Sequence, residues 1–231
     1  MFEISSTEWT AILLSLRVAI IATLVATPFG IALAWLLARR NFWGKSVLDA
    51  LVHLPLVLPP VVTGYLLLLT FGKRGLVGGW LADHLDIVFA FRWTGAALAC
   101  GVMSFPLLVR PIRLSIEAID RRLEQAAGTL GAAPWQVFAT VTLPLALPGI
   151  LAGMVLGFAK AIGEFGATIT FVSNIPGETQ TISSAVYSLI QTPDGDTAAL
   201  RLVIISIVIA MGALIASEWF ARRATARLHG N

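Results

Sequence analysis

Residues 11–38 read AILLSLRVAIIATLVATPFGIALAWLLA, an apolar run with one charge in it, Arg17. As a helix rising 1.5 Å per residue it spans about 42 Å, more than the roughly 30 Å of hydrocarbon in a bilayer. Glu3 and Glu8 precede it where a signal peptide would carry cations, and it is far longer than a signal-peptide core, so we read it as a retained span. Working outward, four more runs approach spanning length: residues 47–71, 94–109, 145–170 and 198–220. The third is the shortest and lengthens only by accepting Arg110 and Arg113.

The composition agrees. Of 231 residues, 57% are hydrophobic and 13% charged, against roughly 25% charged in soluble domains. Mean hydropathy is +0.85. So few charges cannot cover a water-facing surface, which argues against a soluble enzyme. The net charge of +3 is spread among apolar runs and makes no contiguous basic face for nucleic acid. The single cysteine, Cys100, lies in an apolar run, excludes an internal disulfide and reads as a small packed hydrophobe.

Cations between the runs set an orientation. Arg39, Arg40, Lys45, Arg110, Arg113, Arg121, Arg122, Arg222, Arg223 and Arg227 fall on one side, and Lys73, Arg74, Arg92 and Arg201 on the other. Cytoplasmic loops carry the excess, so the first side faces the cytoplasm. The amino terminus is then outside and the carboxyl terminus inside, as five spans require. A sixth, re-entrant segment stays open within residues 171–200, where 182–190 is apolar but too short to cross. Trp9, Trp35, Trp80, Trp93 and Trp219 fall near span ends and read as interface anchors. Arg17 is expected to reach back to the outer interface.

Proline and glycine crowd several spans: Pro28 and Gly30 in the first, Pro55, Pro59, Pro60 and Gly64 in the second, Pro106 in the third, Pro148, Gly149, Gly153 and Gly157 in the fourth. Two readings compete. Broken helices survive in lipid only against protein or a wet cavity, which suits a transporter or channel, whereas small residues also permit plain close packing.

Residues 110–144, on the cytoplasmic side, exceed an ordinary connector. Ile112, Ile116, Ile119, Leu123, Ala126, Ala127 and Leu130 recur at steps of three and four, predicting one amphipathic helix ended by Gly131. A second short helix is predicted over 134–141, opening on Pro134 and stopping before Leu143-Pro144. Two short helices joined by a turn read as a docking surface.

The series Gln125-Ala126-Ala127, three residues, Gly131, nine residues, Val141, one residue, Leu143-Pro144 resembles the EAA loop of ABC importer permeases, E-A-A-x3-G-x9-I-x-L-P. Gln125 stands where the family has Glu, with Glu124 just before it, and Val141 replaces Ile. The likeness runs through HLPLVLPPVV at 53–62, MSFPL at 103–107 and GEFGATITFVSNIPGETQTI at 163–182, and narrows to the molybdate branch; GEFGA alone is shared with sulfate and tungstate permeases. The resemblance implies an all-α, polytopic transmembrane bundle with the type I importer permease fold over residues 11–220, in the inner membrane. It implies a homodimer, two cytoplasmic ATPase subunits holding ATP and magnesium, and a periplasmic oxyanion-binding protein, with no cofactor on this chain. It implies that residues 125–144, with Glu124 beside them, couple to the ATPase through Gln125, Ala126, Ala127, Gly131, Val141, Leu143 and Pro144. The same machine serving sulfate, thiosulfate or tungstate stays open, as does a non-ABC channel or membrane enzyme.

The residues themselves offer no energy source. Gly44-Lys45-Ser46 is the nearest approach to a phosphate-binding loop, and its required first glycine is Arg39. His53, His84 and His229 lack metal-ligand spacing. Within the fourth run, Lys160 and Glu164 are four apart and share a helix face. They read either as a lining or gate of the oxyanion route or as a mutual ion pair. Thr168, Thr170, Ser173 and Asn174 follow, as donors to an anion or as helix caps. The loop 171–199, with Pro176-Gly177 and Pro193-Asp194-Gly195, is the expected surface for the delivery protein.

Overall fold

The computed structural model describes residues 4–228, with side chains through residue 216; the side chain of Trp219, and His229 and Glu3, lie outside the described residues. Among the described residues the chain is wholly helical. Helix α1 (Ser6–Arg39) starts at Ser5, whose Oγ accepts the Glu8 N–H while the Glu8 carboxylate accepts the Ser5 N–H at 2.6 Å, a reciprocal box that satisfies two otherwise orphaned donors. Helix α2 (Lys45–Val57) leads across Leu58-Pro59 into α3 (Pro60–Phe71), and α4 (Leu76–Leu85) follows. Helix α5 (Trp93–Ala118) is the central element, packed along both α1 and the later α8.

Four helices are long and apolar enough to cross a membrane: α1, α5, the continuous stretch 134–162, and residues 196–216 of the last helix. The pair α2–α3 is apolar enough to count as a fifth when taken together, but it is bent by 115°, the geometry of a broken span or of a re-entrant loop. Four of the five expected spans are therefore long single helices, and the second is sharply broken where Pro59 and Pro60 fall. Three other expected breaks are absent. Helix α1 passes Pro28, α5 passes Pro106, and α8 passes Pro148 without interruption. Each proline removes one internal hydrogen bond, but α1, α5 and α8 are packed on one another through these regions, and that contact outweighs the local loss. Gly30, and Gly149, Gly153 and Gly157 further on, serve close packing instead: a Cβ on Gly30 would overlap the Leu108 side chain, and one on Gly153 would sit 2.5 Å from the Leu108 carbonyl oxygen.

The amphipathic helix expected over 112–130 is cut in two. Ile112 and Ile116 complete α5 in the core, Ile119 and Asp120 leave the helix, and α6 (Arg121–Thr129) starts anew with Asp120 Oδ1 accepting the Arg122 N–H at 2.9 Å. The stop expected before Leu143-Pro144 is also absent. Helix α7 (Pro134–Val137) runs through a wide π turn (Phe138–Thr142) directly into α8 (Leu143–Ile162). In that turn the Leu143 N–H reaches the Phe138 carbonyl, which accommodates Pro144 and its missing donor without ending the helix.

Beyond α8, residues 163–165 break the chain before α9 (Gly166–Val172); then come α10 (Ile182–Leu189) and α11 (Asp196–Leu228). The segment 182–190 is thus a short helix that does not cross; it is tied to α1 by the Ile182 N–H donating to Ser15 Oγ at 2.7 Å. The basic residues gather at one end, where Arg39 meets Glu124 and Arg113 meets Asp49 at 2.8 Å. At the opposite end Arg201 of α11 clasps the buried carboxylate of Glu8 at 2.9 Å, and the exposed Arg17 lays its guanidinium 3.8 Å above the ring of Trp93.

If the glycine face of α8 sets the helix spacing, Gly153→Ala must push α8 off α5 and cost about 1–3 kcal/mol. Gly212→Ala, with nothing within 4 Å of the added methyl, should cost nothing. Thermal unfolding midpoints of the two purified variants in detergent check the difference.

Candidate functional site

The two broken spans meet. A Cβ on Gly64 of α3 would sit 2.9 Å from the Ala167 Cα and 3.0 Å from the Thr170 Cβ of α9, and one on Gly166 would sit 2.7 Å from the Pro60 Cβ. The half-helix after the proline break is therefore in backbone contact with the half-helix of the GEFGA run. Thr63, one residue before Gly64, buries its hydroxyl there without a partner. The outer side of α3 leaves Val61, Val62, Tyr65, Leu66 and Leu69 exposed.

Glu164 lies in the gap between α8 and α9 and is 1% exposed. Its Oε2 accepts from Lys160 Nζ at 2.7 Å and its Oε1 from the Ala167 N–H at 3.0 Å, so it joins the end of α8 to the first turn of α9. The Lys160 side chain stays about a third exposed, at 30%. The hydroxyls that follow are used locally. Thr168 donates to the Phe165 carbonyl at 2.9 Å and Thr170 to the Gly166 carbonyl at 2.9 Å. Ser173 has φ 65° and ψ −161°, a conformation nearly confined to glycine, and its carbonyl accepts from Thr179 Oγ1 at 3.3 Å. Asn174 donates to Ser188 Oγ at 2.6 Å, binding the loop to α10. The turns at Pro176-Gly177 and Pro193-Asp194 are exposed at this end.

At the basic end, residues 121–144 fold as α6, a tight turn, α7 and the π turn. The turn is a Schellman motif: the Ala132 N–H reaches the Ala127 carbonyl at 3.2 Å, the Gly131 N–H reaches the Gly128 carbonyl at 3.0 Å, and Gly131 holds φ 88°. Gly131 is therefore the terminating glycine its spacing predicts. Gln125, Ala126 and Pro144 are exposed, whereas Ala127, Val141 and Leu143 are half-buried. Leu123, Leu130 and Trp135 stand exposed, at 51%, 89% and 70%, so the apolar stripe that α5 buries in the core continues along α6 only partly covered, with Trp135 of α7 exposed beside it.

Glu124 turns the other way. It pairs with Arg39 at 3.0 Å and accepts from Thr142 Oγ1 at 2.7 Å. Neither Arg39 nor Thr142 stands out in the sequence; the first only closes an apolar run, and 85 residues separate it from its partner. The Gly64–Ala167 contact was equally hidden: Gly64 was visible among the breaks of its span, but the break at 163–165 was not.

Residues 26–226 match the family described as "Binding-protein-dependent transport system inner membrane component". The chain is 63% identical over 215 residues to the "Molybdenum transport system permease protein ModB" of Escherichia coli (strain K12), covering 93% of this chain and 94% of that one. It is 56% identical over 221 residues to the protein of the same name from Haemophilus influenzae, covering 96% of each. Its fold is similar, at TM-score 0.75 and 21% identity over 96% of this chain and 80% of the other, to a bacterial alginate ABC transporter solved in complex with an alginate pentasaccharide-bound periplasmic protein.

Two outcomes follow from the site geometry. Lys160→Met leaves the Glu164 carboxylate buried with one donor, and the stability of the purified chain should fall by about 2–3 kcal/mol, while Lys160→Arg keeps most of it; chemical denaturation of the three proteins measures this. Gly131→Ala forces a β-carbon into a left-handed turn at a cost of about 1–2 kcal/mol, whereas Gly128→Ala, in open space on a helix, should be harmless. Protease susceptibility of the 121–144 region, compared between these two variants, reads that difference.

Proposed function

The chain belongs to the binding-protein-dependent transport system inner membrane component family, it lies in the inner membrane as a multi-pass permease, and from that premise we propose that it carries molybdate inward as one of two identical copies lining a shared pathway. It is fed by a periplasmic oxyanion-binding protein and driven by two cytoplasmic ATPase subunits, in which ATP and magnesium are held. The basic end faces the cytoplasm, in keeping with its excess of arginine and lysine. The coupling surface is the exposed edge of α6 and α7, with Gln125, Ala126 and Gly131 at its turn.

The observation that carries the ATP-driven reading is the unburied stripe of Leu123, Leu130 and Trp135 at the basic end. A helix of this length does not leave such an edge in water unless a partner covers it. The anion is assigned from the two relatives at 63% and 56% identity, both named as molybdenum permeases. Closure of the ATPases moves α6, and the α2–α3 bend and the α8–α9 break are where the pathway walls change direction, which supports alternating access by movement of packed helices. Lys160 and Glu164 act in this scheme as the pin that holds α9 on α8, with Thr168, Thr170 and Ser173 shaping α9 and its end rather than gripping the anion. Recognition of molybdate against sulfate then rests mainly with the delivery protein.

The reconstituted complex of this chain, its ATPase and the binding protein should hydrolyse ATP faster when molybdate-loaded binding protein is supplied in the outer compartment. Equal stimulation by a sulfate-loaded protein from a sulfate system would reassign the substrate, and failure of any ATPase subunit to bind the chain would remove the ABC reading.

A further inference from the structure

Only Ile119 and Asp120 are non-helical between α5 and α6, and so short a junction normally absorbs any tilt of the second helix by bending. Here it is bridged. Arg39, the last residue of α1, donates from Nη2 to the Ile119 carbonyl at 3.2 Å, and from Nε to the Glu124 carboxylate, whose two oxygens lie 3.1 and 3.0 Å away. Thr142, in the π turn at the head of α8, donates to Glu124 Oε1 at 2.7 Å. One turn earlier on α1, the Trp35 ring meets Phe138 of the same π turn edge to face, with centroids 6.0 Å apart.

The side chains of Arg39 and Glu124 are 9% and 18% exposed, so this is not a solvated surface pair of small consequence. A guanidinium grips a carbonyl and a carboxylate in different directions at once, which a lysine cannot do. The cluster thus joins four elements: the end of α1, the α5–α6 junction, α6, and the start of α8. A plain stabilising ion pair would require only two of them.

We infer that Arg39, Glu124 and Thr142 are positioning residues that fasten α6 to α1 and α8, so that displacement of α6 is delivered to both spanning helices and not lost at the Ile119–Asp120 hinge. Glu124 then serves its own chain and is not a contact to the ATPase. The inference rests on the reading of residues 125–144 as the ATPase-docking loop. Because α1 and α8 both grip α5, the three move as one body, and the relative motion falls to α2–α3 and α9.

The test uses the full complex in proteoliposomes with wild-type chain, Arg39→Met, Arg39→Lys, Glu124→Gln, Thr142→Val and the exchange Arg39→Glu with Glu124→Arg. Three quantities are read: ATPase subunits retained on the permease, ATP hydrolysed, and molybdate moved per ATP. With Arg39→Met the ATPase should remain bound while molybdate per ATP falls about five-fold or more. Glu124→Gln should lower the same ratio, Arg39→Lys should recover little of it, and Thr142→Val, the mildest change, should lower it about two-fold. Restoration of the ratio by the exchange variant would support the clamp strongly. A merely structural role would reduce the amount of folded complex and leave molybdate per ATP unchanged, which overturns the inference. Loss of the ATPase subunits with Glu124→Gln but not with Arg39→Met would also overturn it, by making Glu124 a partner contact. A wild-type chain that retains no ATPase would instead sink the docking-loop reading itself.

Discussion

Lipid tails are as apolar as leucine, so helices in a bilayer gain little by hiding side chains from one another and must associate through close contact. In this chain that contact converges on Leu108 of α5, which is wholly buried. Gly30 of α1 meets its side chain, Gly153 of α8 lies against its carbonyl, and a Cβ on Gly157 of α8 would sit 3.6 Å from its Cβ. Three glycines from two helices, all directed at one residue, set the spacing of the α1–α5–α8 body. Every other arrangement depends on that body being stiff: α3 and α9 can be short and broken because they lean on it, and α6 can hang from it by two residues.

Backbone hydrogen bonding then dictates what the breaks look like. Each interruption of a helix releases donors and acceptors that need new partners, and in lipid only the protein itself can supply them. At the α8–α9 gap Glu164 meets the Ala167 N–H and keeps its charge tolerable by pairing with Lys160. At the α5–α6 junction Asp120 meets the Arg122 N–H, and Arg39 meets the Ile119 carbonyl. In both places the carboxylate supports the chain before it could serve any ligand. Burial without such partners would cost more than a single helix gains by packing.

Much of this was legible in the residues. Span number, the fracture at Pro59-Pro60, the turn at Gly131 and the i, i+4 pairing of Lys160 with Glu164 all depend on neighbours in sequence, and a period or a proline reports on them directly. What was not legible depends on distant residues. Pro28 and Pro106 look like breaks until α1 and α5 are laid side by side. The stripe from Ile112 to Leu130 has one period but two environments, because the chain turns at Ile119 and the first half is buried while the second is not. Leu143-Pro144 looks like a stop, and the preceding π turn turns it into a continuation. The Arg39–Glu124 pair has no local signature at all.

The charges bear on the proposal that the chain passes a dianion without gripping it. At the α8–α9 gap Lys160 is already paired with Glu164 at 2.7 Å. The hydroxyls of Thr168 and Thr170 are committed to carbonyls of their own helix. A strong anion site would have to displace those bonds and uncover a buried carboxylate beside the incoming negative charge, which Coulomb repulsion in a low-dielectric setting opposes. Tight binding in the middle of the pathway would also slow release, since whatever free energy holds the anion must be returned before it can leave. A weakly interacting passage, with selection made outside the membrane and work supplied from the opposite side, is the arrangement these residues favour. On the proposed function, the exposed edge of α6 and the exposed turns between α9 and α11 are the two faces left for partners at opposite ends of the chain.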